Sequence, residues 1–544
     1  MDRPWHRARF HLPIFPHIDQ QHRCAIVERH FQLVDPHPLL GPGLRGWERP
    51  NEDARPDGQQ PSDQTANLQH GLSLSARLHD DQVGEWTDIY GVRPSLIRRE
   101  PPVGPAADCA TMRRSEEADT VQLDDLSHDA LLARERELDA AYRRFQAAGL
   151  ALDLTRGKPS PTQLDLSDEL LQLVDGYQAA NGTDTRNYGG LDGLAEARAL
   201  GAELLGVHPD EVLASGNSSL TLMYLYLMNA WVHGPAGEDS AWCKTGVVRF
   251  LCPVPGYDRH FAILEDLGIE MLPVPMTETG PDMDVVEGRV SADPTIKGIW
   301  CVPKYSNPTG QVYSAKTVER LAGLATIAGA HFRIMWDNAY AVHDLDDDPP
   351  VLANVMDACR QQGTEDSVVQ FASTSKVTWA GAGLSWMAGS TATLDRFRQR
   401  LQVATIGPDK VNQLRHVRFL RNLDGVRAHM RKHAAILRPK FEMVVRHLEE
   451  ALADTGMGVW TNPRGGYFLS FDTRPGLAST IITLAADAGV KLTPAGATFP
   501  YGRDPNNANI RLAPTFPELT ELDQAMQVFV VCVQLASARQ CLGA

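Results

Sequence analysis

Apolar positions along this chain follow two rhythms. Leu131, Leu132, Leu138, Tyr142 and Phe145 recur at helical spacing, with Ser127 ahead of them as a cap and Gly149 behind them as a stop. This predicts a helix, then an extended segment over 150–154 and a turn at Arg156-Gly157-Lys158-Pro159. From about residue 190 to 390 helical patterns alternate with short apolar runs: VVRFLC (247–252), GIWCVP (298–303), FRIMW (332–336) and VVQFAS (368–373). β-rich runs between amphipathic helices predict βαβ units, and so an α/β fold with a mostly parallel central sheet and helices on both faces. Residues 410–455 read as helical. GYFLSF (466–471), VKLTP (490–494) and NIRLAP (509–514) read as strands of a smaller α/β domain.

The first stretch lacks either rhythm. Residues 1–105 hold 8 of the 18 His and 13 of the 36 Pro, a composition poorly suited to burying enough apolar surface to offset ordering entropy. Residues 1–120 are therefore expected to be a poorly ordered extension, or upstream sequence ahead of a later start such as Met112. The expected organisation is then an N-terminal segment with part of the small domain (121–190), a large domain (191–430) and a C-terminal small domain (431–544).

Charge and cysteines narrow the partners. Lys and Arg total 52 against 68 Asp and Glu, giving −16, the opposite of a nucleic-acid binder's footprint. The eight cysteines are scattered with no C-x-x-C pair, so neither a disulfide framework nor a metal site is expected, and a reducing cytoplasmic setting fits. No apolar run approaches the roughly 18 residues that cross a bilayer, and no signal peptide is read, so no membrane partner is expected.

The candidate chemistry gathers at the ends of the apolar runs, where open α/β sheets bind ligands. Residues 301–310 read CVPKYSNPTG, 335–340 read MWDNAY and 373–376 read STSK, each after such a run. Residues 214–219 read ASGNSS ahead of an apolar helix, whose free N–H groups and dipole favour a phosphate. Asn307-Pro308-Thr309-Gly310, Asp337-Asn338-Ala339-Tyr340 and Ser373-Thr374-Ser375-Lys376, in that order, resemble fold-type I aminotransferases, which depend on pyridoxal 5′-phosphate (PLP). Four further stretches resemble the bacterial aspartate aminotransferase subgroup labelled Ic, related to the aminotransferase domain of MocR-type regulators. They are LDLTRGKPS (152–160), NYGGLDG (187–193), VPGYDRH (254–260) and SKVTWAGAG (375–383). The resemblance covers roughly residues 125–535.

What the resemblance implies can be carried over position by position. Lys376 matches the lysine whose amine joins the cofactor aldehyde and later moves the substrate α-proton. Asp337 matches the carboxylate that keeps the pyridine nitrogen protonated. Asn307 and Tyr340 match the partners of the phenolic oxygen, and Tyr257 the aromatic that stacks on the ring. Asn217, Ser218 and Ser373 match the phosphate cup, and Tyr188 a tyrosine that reaches the neighbouring subunit's phosphate, which implies a homodimer with shared sites. Arg511, with Asn307 and Gly157, matches the group that receives the substrate α-carboxylate; a guanidinium fork suits that bidentate task. The implied reaction moves an amino group between an L-amino acid, aspartate foremost, and 2-oxoglutarate.

One position departs from the pattern. Many relatives carry a phosphate-binding arginine eight residues after the lysine, and here that position is Leu384. Helix dipole, hydroxyls or a cation such as Lys304 are the alternatives, and Arg156, Lys158 or residues of a partner chain are candidates for a distal carboxylate. Two other functions share the motifs: another PLP enzyme such as a β-lyase, and a PLP-sensing MocR-type regulator. The second is disfavoured by the acidic charge and by the lack of a helix-turn-helix pattern in the first 120 residues.

Overall fold

The structure of the protein, a computed structural model, describes residues 122–543 apart from Arg156 and Val174. The expectations for residues 1–120, for a start at Met112 and for Arg156 fall outside the described residues. The first long helix, His128–Ala147, begins as its sequence predicts: Ser127 Oγ accepts from the Ala130 N–H at 3.3 Å. Gly149 follows its end at φ 65°, a backbone state that glycine adopts without strain. Leu131, Leu138 and Tyr142 are buried. The helix packs against the C-terminal helix Leu519–Leu542, where Arg539 reaches Glu135 at 2.9 Å and Asp139 at 2.7 Å.

That C-terminal helix corrects one sequence expectation. It is long and apolar enough to cross a bilayer by length and composition. Leu522, Met526, Phe529, Val533 and Leu535 on it are instead fully buried within the fold, as in a core helix.

Thirteen strands form among the described residues. The central sheet has eight: β2 Val212–Ala214, β3 Arg249–Val254, β4 Glu270–Thr277, β5 Gly280–Pro281, β6 Ile296–Cys301, β7 Arg333–Asp337, β8 Val368–Ser373 and β9 Ser385–Ala388. Their order is β2-β9-β8-β7-β6-β3-β4-β5. The β4–β3–β6–β7–β8 stretch is parallel, while β9 is antiparallel to both β8 and β2. Apolar side chains cover both faces. Met335, Val369 and Phe371 join one core cluster, and Ile334, Trp336 and Val368 join another. Alternate residues of a strand point to opposite faces, so a sheet sandwiched by helices reads as continuous apolar runs.

The smaller sheets comprise β10 Gly458–Trp460, β11 Leu469–Thr473 and β13 Asn509–Leu512, paired antiparallel, and β1 Leu152–Asp153 with β12 Val490–Lys491, paired in parallel. The last pair ties the N-terminal segment into the C-terminal part of the chain. The 30-residue helix Leu423–Leu452 leads from the large sheet toward these strands.

Candidate active site

Every expected site residue of the large sheet stands at or beyond the C-terminal end of a strand that runs in the common direction. Asp337 closes β7, and Ser373 closes β8 ahead of the turn that carries Lys376. Asn307 follows β6, Tyr257 follows β3, and Asn217 and Ser218 follow β2 at the start of the helix Ser219–His233. Arg511 is supplied by β13, and Gly157 by the segment after β1.

Asp337 is 2% exposed, and its two oxygens are treated differently. Oδ2 accepts from His260 Nε2 at 3.0 Å; Oδ1 is buried with no partner. His260 is held flat against the Trp300 indole, with ring centroids 3.9 Å apart and planes at 4°. The Tyr257 ring meets His260 edge-on at 4.9 Å. Burial, then the Asp337 charge, pushes the Tyr257 phenol up to about 12.

Lys376 Nζ lies over the Tyr340 ring, 4.7 Å from its centroid. Burial lowers the lysine's pKa and the Asp337 carboxylate partly opposes this, so the neutral amine is favoured relative to a surface lysine. The Tyr340 phenol is raised well above its ordinary value, chiefly by burial. Phe468 meets Tyr340 edge-on at 6.3 Å and lies beneath the Arg511 guanidinium, 4.9 Å from ring centroid to carbon. Arg511, 7% exposed, donates from one Nη to Asp258 Oδ1 at 3.0 Å and to Asn307 Oδ1 at 3.4 Å, while its Nε is buried without a partner. Gly157 completes this wall: a Cβ there would lie 2.4 Å from the Phe468 ring.

Around the helix N-terminus, Ser373 Oγ bonds Ser375 Oγ at 3.0 Å, and Ser375 Oγ donates to the Asn217 carbonyl at 3.2 Å. Ser218 caps the helix by accepting from the Thr221 N–H. Leu384 is fully buried and hydrogen-bonds Thr374 through its backbone, so that position holds no cation. Lys304 does not replace one. Its ammonium is 2.8 Å from Asp344, and it lines a cavity of about 410 Å³ bounded also by Trp336, Asn338 and Gln370. The ion pair with Asp344 commits the Lys304 ammonium to that wall rather than to the expected cup. Lys158 is exposed, its amine 3.9 Å from the centroid of Phe516. Tyr188 is not brought to the cluster within one chain: it is 84% exposed, beside Asp409 and Lys410 on a separate cavity wall.

Several participants escaped the sequence reading. His260 was signalled, since it stands three residues after Tyr257 at a helix start and so shares its face. Ser375 sat inside a quoted motif. Asp258 directly follows Tyr257 inside a quoted motif, and His343 stands three residues after Tyr340 in one turn; Phe468 meets the site only through packing between distant segments.

Comparisons with known proteins identify the family. Residues 126–544 match the family model described as aspartate amino-transferase. An aspartate aminotransferase of Corynebacterium glutamicum is 44% identical over 429 residues, which cover 78% of this chain and 99% of that protein. The crystal structure of an aspartate transaminase from the same species superposes with a TM-score of 0.75 at 44% identity, covering 78% of this chain and all of that one. At 21% identity, an alpha-aminoadipate aminotransferase of Thermus thermophilus, complexed with N-(5′-phosphopyridoxyl)-L-leucine, shares the fold with a TM-score of 0.59, covering 77% of this chain and 99% of that one. The chain belongs to the aspartate amino-transferase family and is an aminotransferase of the PLP-dependent fold.

Proposed function

We propose that this enzyme takes L-aspartate as amino donor and 2-oxoglutarate as acceptor, works with PLP joined to Lys376, and does so as a homodimer with shared sites. The substrate choice follows the 44% identical aspartate aminotransferase, and the observation that carries the cofactor and α-carboxylate part of the reading is the pair of orphaned polar atoms in one cluster. Asp337 Oδ1 is a buried carboxylate oxygen with no donor, and Arg511 Nε is a buried donor with no acceptor. Such groups are costly unless a ligand satisfies them. A protonated ring nitrogen fits the first and a substrate carboxylate fits the second, so the residues present suit the cofactor.

When bound, PLP supplies an aldehyde that takes the amino group and a ring that accepts electrons. Lys376 would hold it and, once released, move a proton at the substrate α-carbon, a task suited to an amine whose pKa burial has lowered. Asp337, backed by His260, would keep the ring nitrogen protonated. Tyr257 would stack on the ring; Asn307 and Tyr340 would reach its phenolic oxygen. Asn217, Ser218, Ser373 and Ser375 would hold the phosphate, with Tyr188 of a second copy. Arg511, Asn307 and Gly157 would seat the α-carboxylate.

The test is a half-reaction. L-aspartate added alone to the PLP-loaded enzyme should bleach the visible absorbance and release one oxaloacetate per site, and 2-oxoglutarate should restore the absorbance. Release of pyruvate with ammonia would replace the aminotransferase reading with a lyase. Lys376→Ala should lack both the absorbance and turnover; retained turnover would end the assignment of that lysine.

A further inference from the structure

The segment that carries Lys376 is gripped by buried histidines that the reaction itself does not use. Lys376, Val377 and Thr378 are each held by a different one. His343 Nε2 lies 3.3 Å from the Lys376 carbonyl, His429 Nε2 lies 2.8 Å from the Val377 carbonyl, and His416 Nε2 lies 3.0 Å from Thr378 Oγ1. A carbonyl only accepts, so the His343 and His429 Nε2 atoms carry the proton. His416 donates through Nδ1 to the Asn412 carbonyl at 2.8 Å, so its Nε2 accepts from Thr378. The three come from three elements: the turn after β7, the helix Lys410–Leu420 and the long helix Leu423–Leu452.

His343 has the most direct link to the reacting amine. It is 3% exposed and lies three residues after Tyr340 in one turn, closed by its own N–H on the Tyr340 carbonyl at 2.9 Å. Its ring stands edge-on to Tyr340 at 5.6 Å and to Tyr467 at 5.5 Å. Its carbonyl accepts from the Gly466 N–H, which anchors the turn to the loop ahead of β11. The lysine carbonyl and the ring beneath the lysine amine therefore meet on one imidazole.

We propose that His343 is a positioning residue for Lys376: its Nε2–H fixes the lysine's carbonyl while its ring fixes Tyr340, holding the amine in register over the tyrosine. The inference rests on the reading of Lys376 as the cofactor-bearing lysine. Burial first, then the Lys376 charge, pushes the imidazole down to about 3, so it stays a neutral donor. Those are the charges and rings that face it: Lys376, Tyr340, Tyr467 and, further off, His433.

The experiment uses the full chain loaded with PLP, and two variants. His343→Gln keeps an N–H donor at a similar reach; His343→Phe keeps a ring and loses the donor. The readouts are the pH midpoint of the visible absorbance of the cofactor joined to Lys376, and kcat against KM. In His343→Phe the freed segment should admit water to the cation, raising the midpoint by about half a pH unit or more. It should also lower kcat about tenfold at a nearly unchanged KM. His343→Gln should keep the midpoint at the parental value and kcat within about twofold of the parent. A parental midpoint and kcat in His343→Phe would overturn the proposal, as would a folded His343→Gln as impaired as His343→Phe. Should His343→Phe not fold, His343→Met, also without a donor, is read the same way. A parent enzyme with no visible absorbance would overturn the reading of Lys376 itself.

Discussion

Arg511 already holds one carboxylate before any substrate arrives. The Asp258 oxygen lies 3.0 Å from its Nη and is a third exposed, so it can swing toward solvent. An incoming α-carboxylate must share the guanidinium with it or displace it, and either way two like charges approach. Such a pair at about 4 Å costs about 1 kcal/mol at high dielectric, or roughly fivefold in affinity. Asp258→Asn should therefore lower KM for the amino acid several-fold with little change in kcat, and tighten binding of a non-reacting dicarboxylate, measured by calorimetry. A higher KM would show that Asp258 instead holds the fork in its binding orientation. The same scale explains what the sequence withheld. Lys376, Asp337 and Asn307 are legible because each closes or follows an apolar run within a motif of polar groups that a plain strand end does not need. Asp258 sits inside a quoted motif, but nothing local marks it as a partner of Arg511, and Phe468 carries no mark at all; their roles arise where β13 and the loop before β11 meet the helix after β3.

Elements bring those segments together, and the N-terminal one is the most exposed to change. The two-residue strand β1 pairs with β12, which sets the following chain against the small sheet and delivers Gly157 to the Phe468 ring. No side chain fits there, since a Cβ would lie 2.4 Å from a ring that also supports Arg511 and borders Tyr340. Gly157→Ala should push Phe468 aside and with it the guanidinium, costing about tenfold or more in kcat/KM. The melting temperature should stay within a few degrees, because the displaced segment is short. An equal loss of stability and none of activity would place the strain elsewhere. Element boundaries show why some strands were unreadable. β4 contains Pro273 and Pro275, which argue against a strand; it tolerates them because only β3 pairs along its length, with β5 touching Met276 and Thr277. β2 and β9 span three and four residues, too short for a period to register. The runs of β3, β6, β7 and β8 were visible because both faces are covered and most positions are apolar, with polar residues such as Arg249, Lys297 and Asp337 near their ends.

At the scale of the whole molecule, the buried histidines make folding depend on pH. His343 is pushed down to about 3, and His416 and His433 to about 4, each chiefly by burial, from the usual 6.5. None is more than 3% exposed. Their folded-state values lie below the unfolded one, so between pH 6.5 and about 4 the unfolded chain binds protons that the folded chain refuses. Stability is thus complete above 6.5 and is lost as pH falls through that window. Each such histidine contributes a limiting slope of about 1.4 kcal/mol per pH unit, so three together approach about 4. Paired carboxylates such as Asp184, held down to about 2 by Arg186, lose their contribution at lower pH, which leaves the histidine window distinct. Denaturant melts from pH 7 to 4.5 should show stability falling steeply below 6. His416→Gln, which removes one titrating ring, should lower stability at pH 7 yet flatten the slope by roughly a third. A flat profile over that range in the parent protein would mean that these rings take up protons in the folded state, and the neutral grip on the Lys376 segment would lose its physical basis.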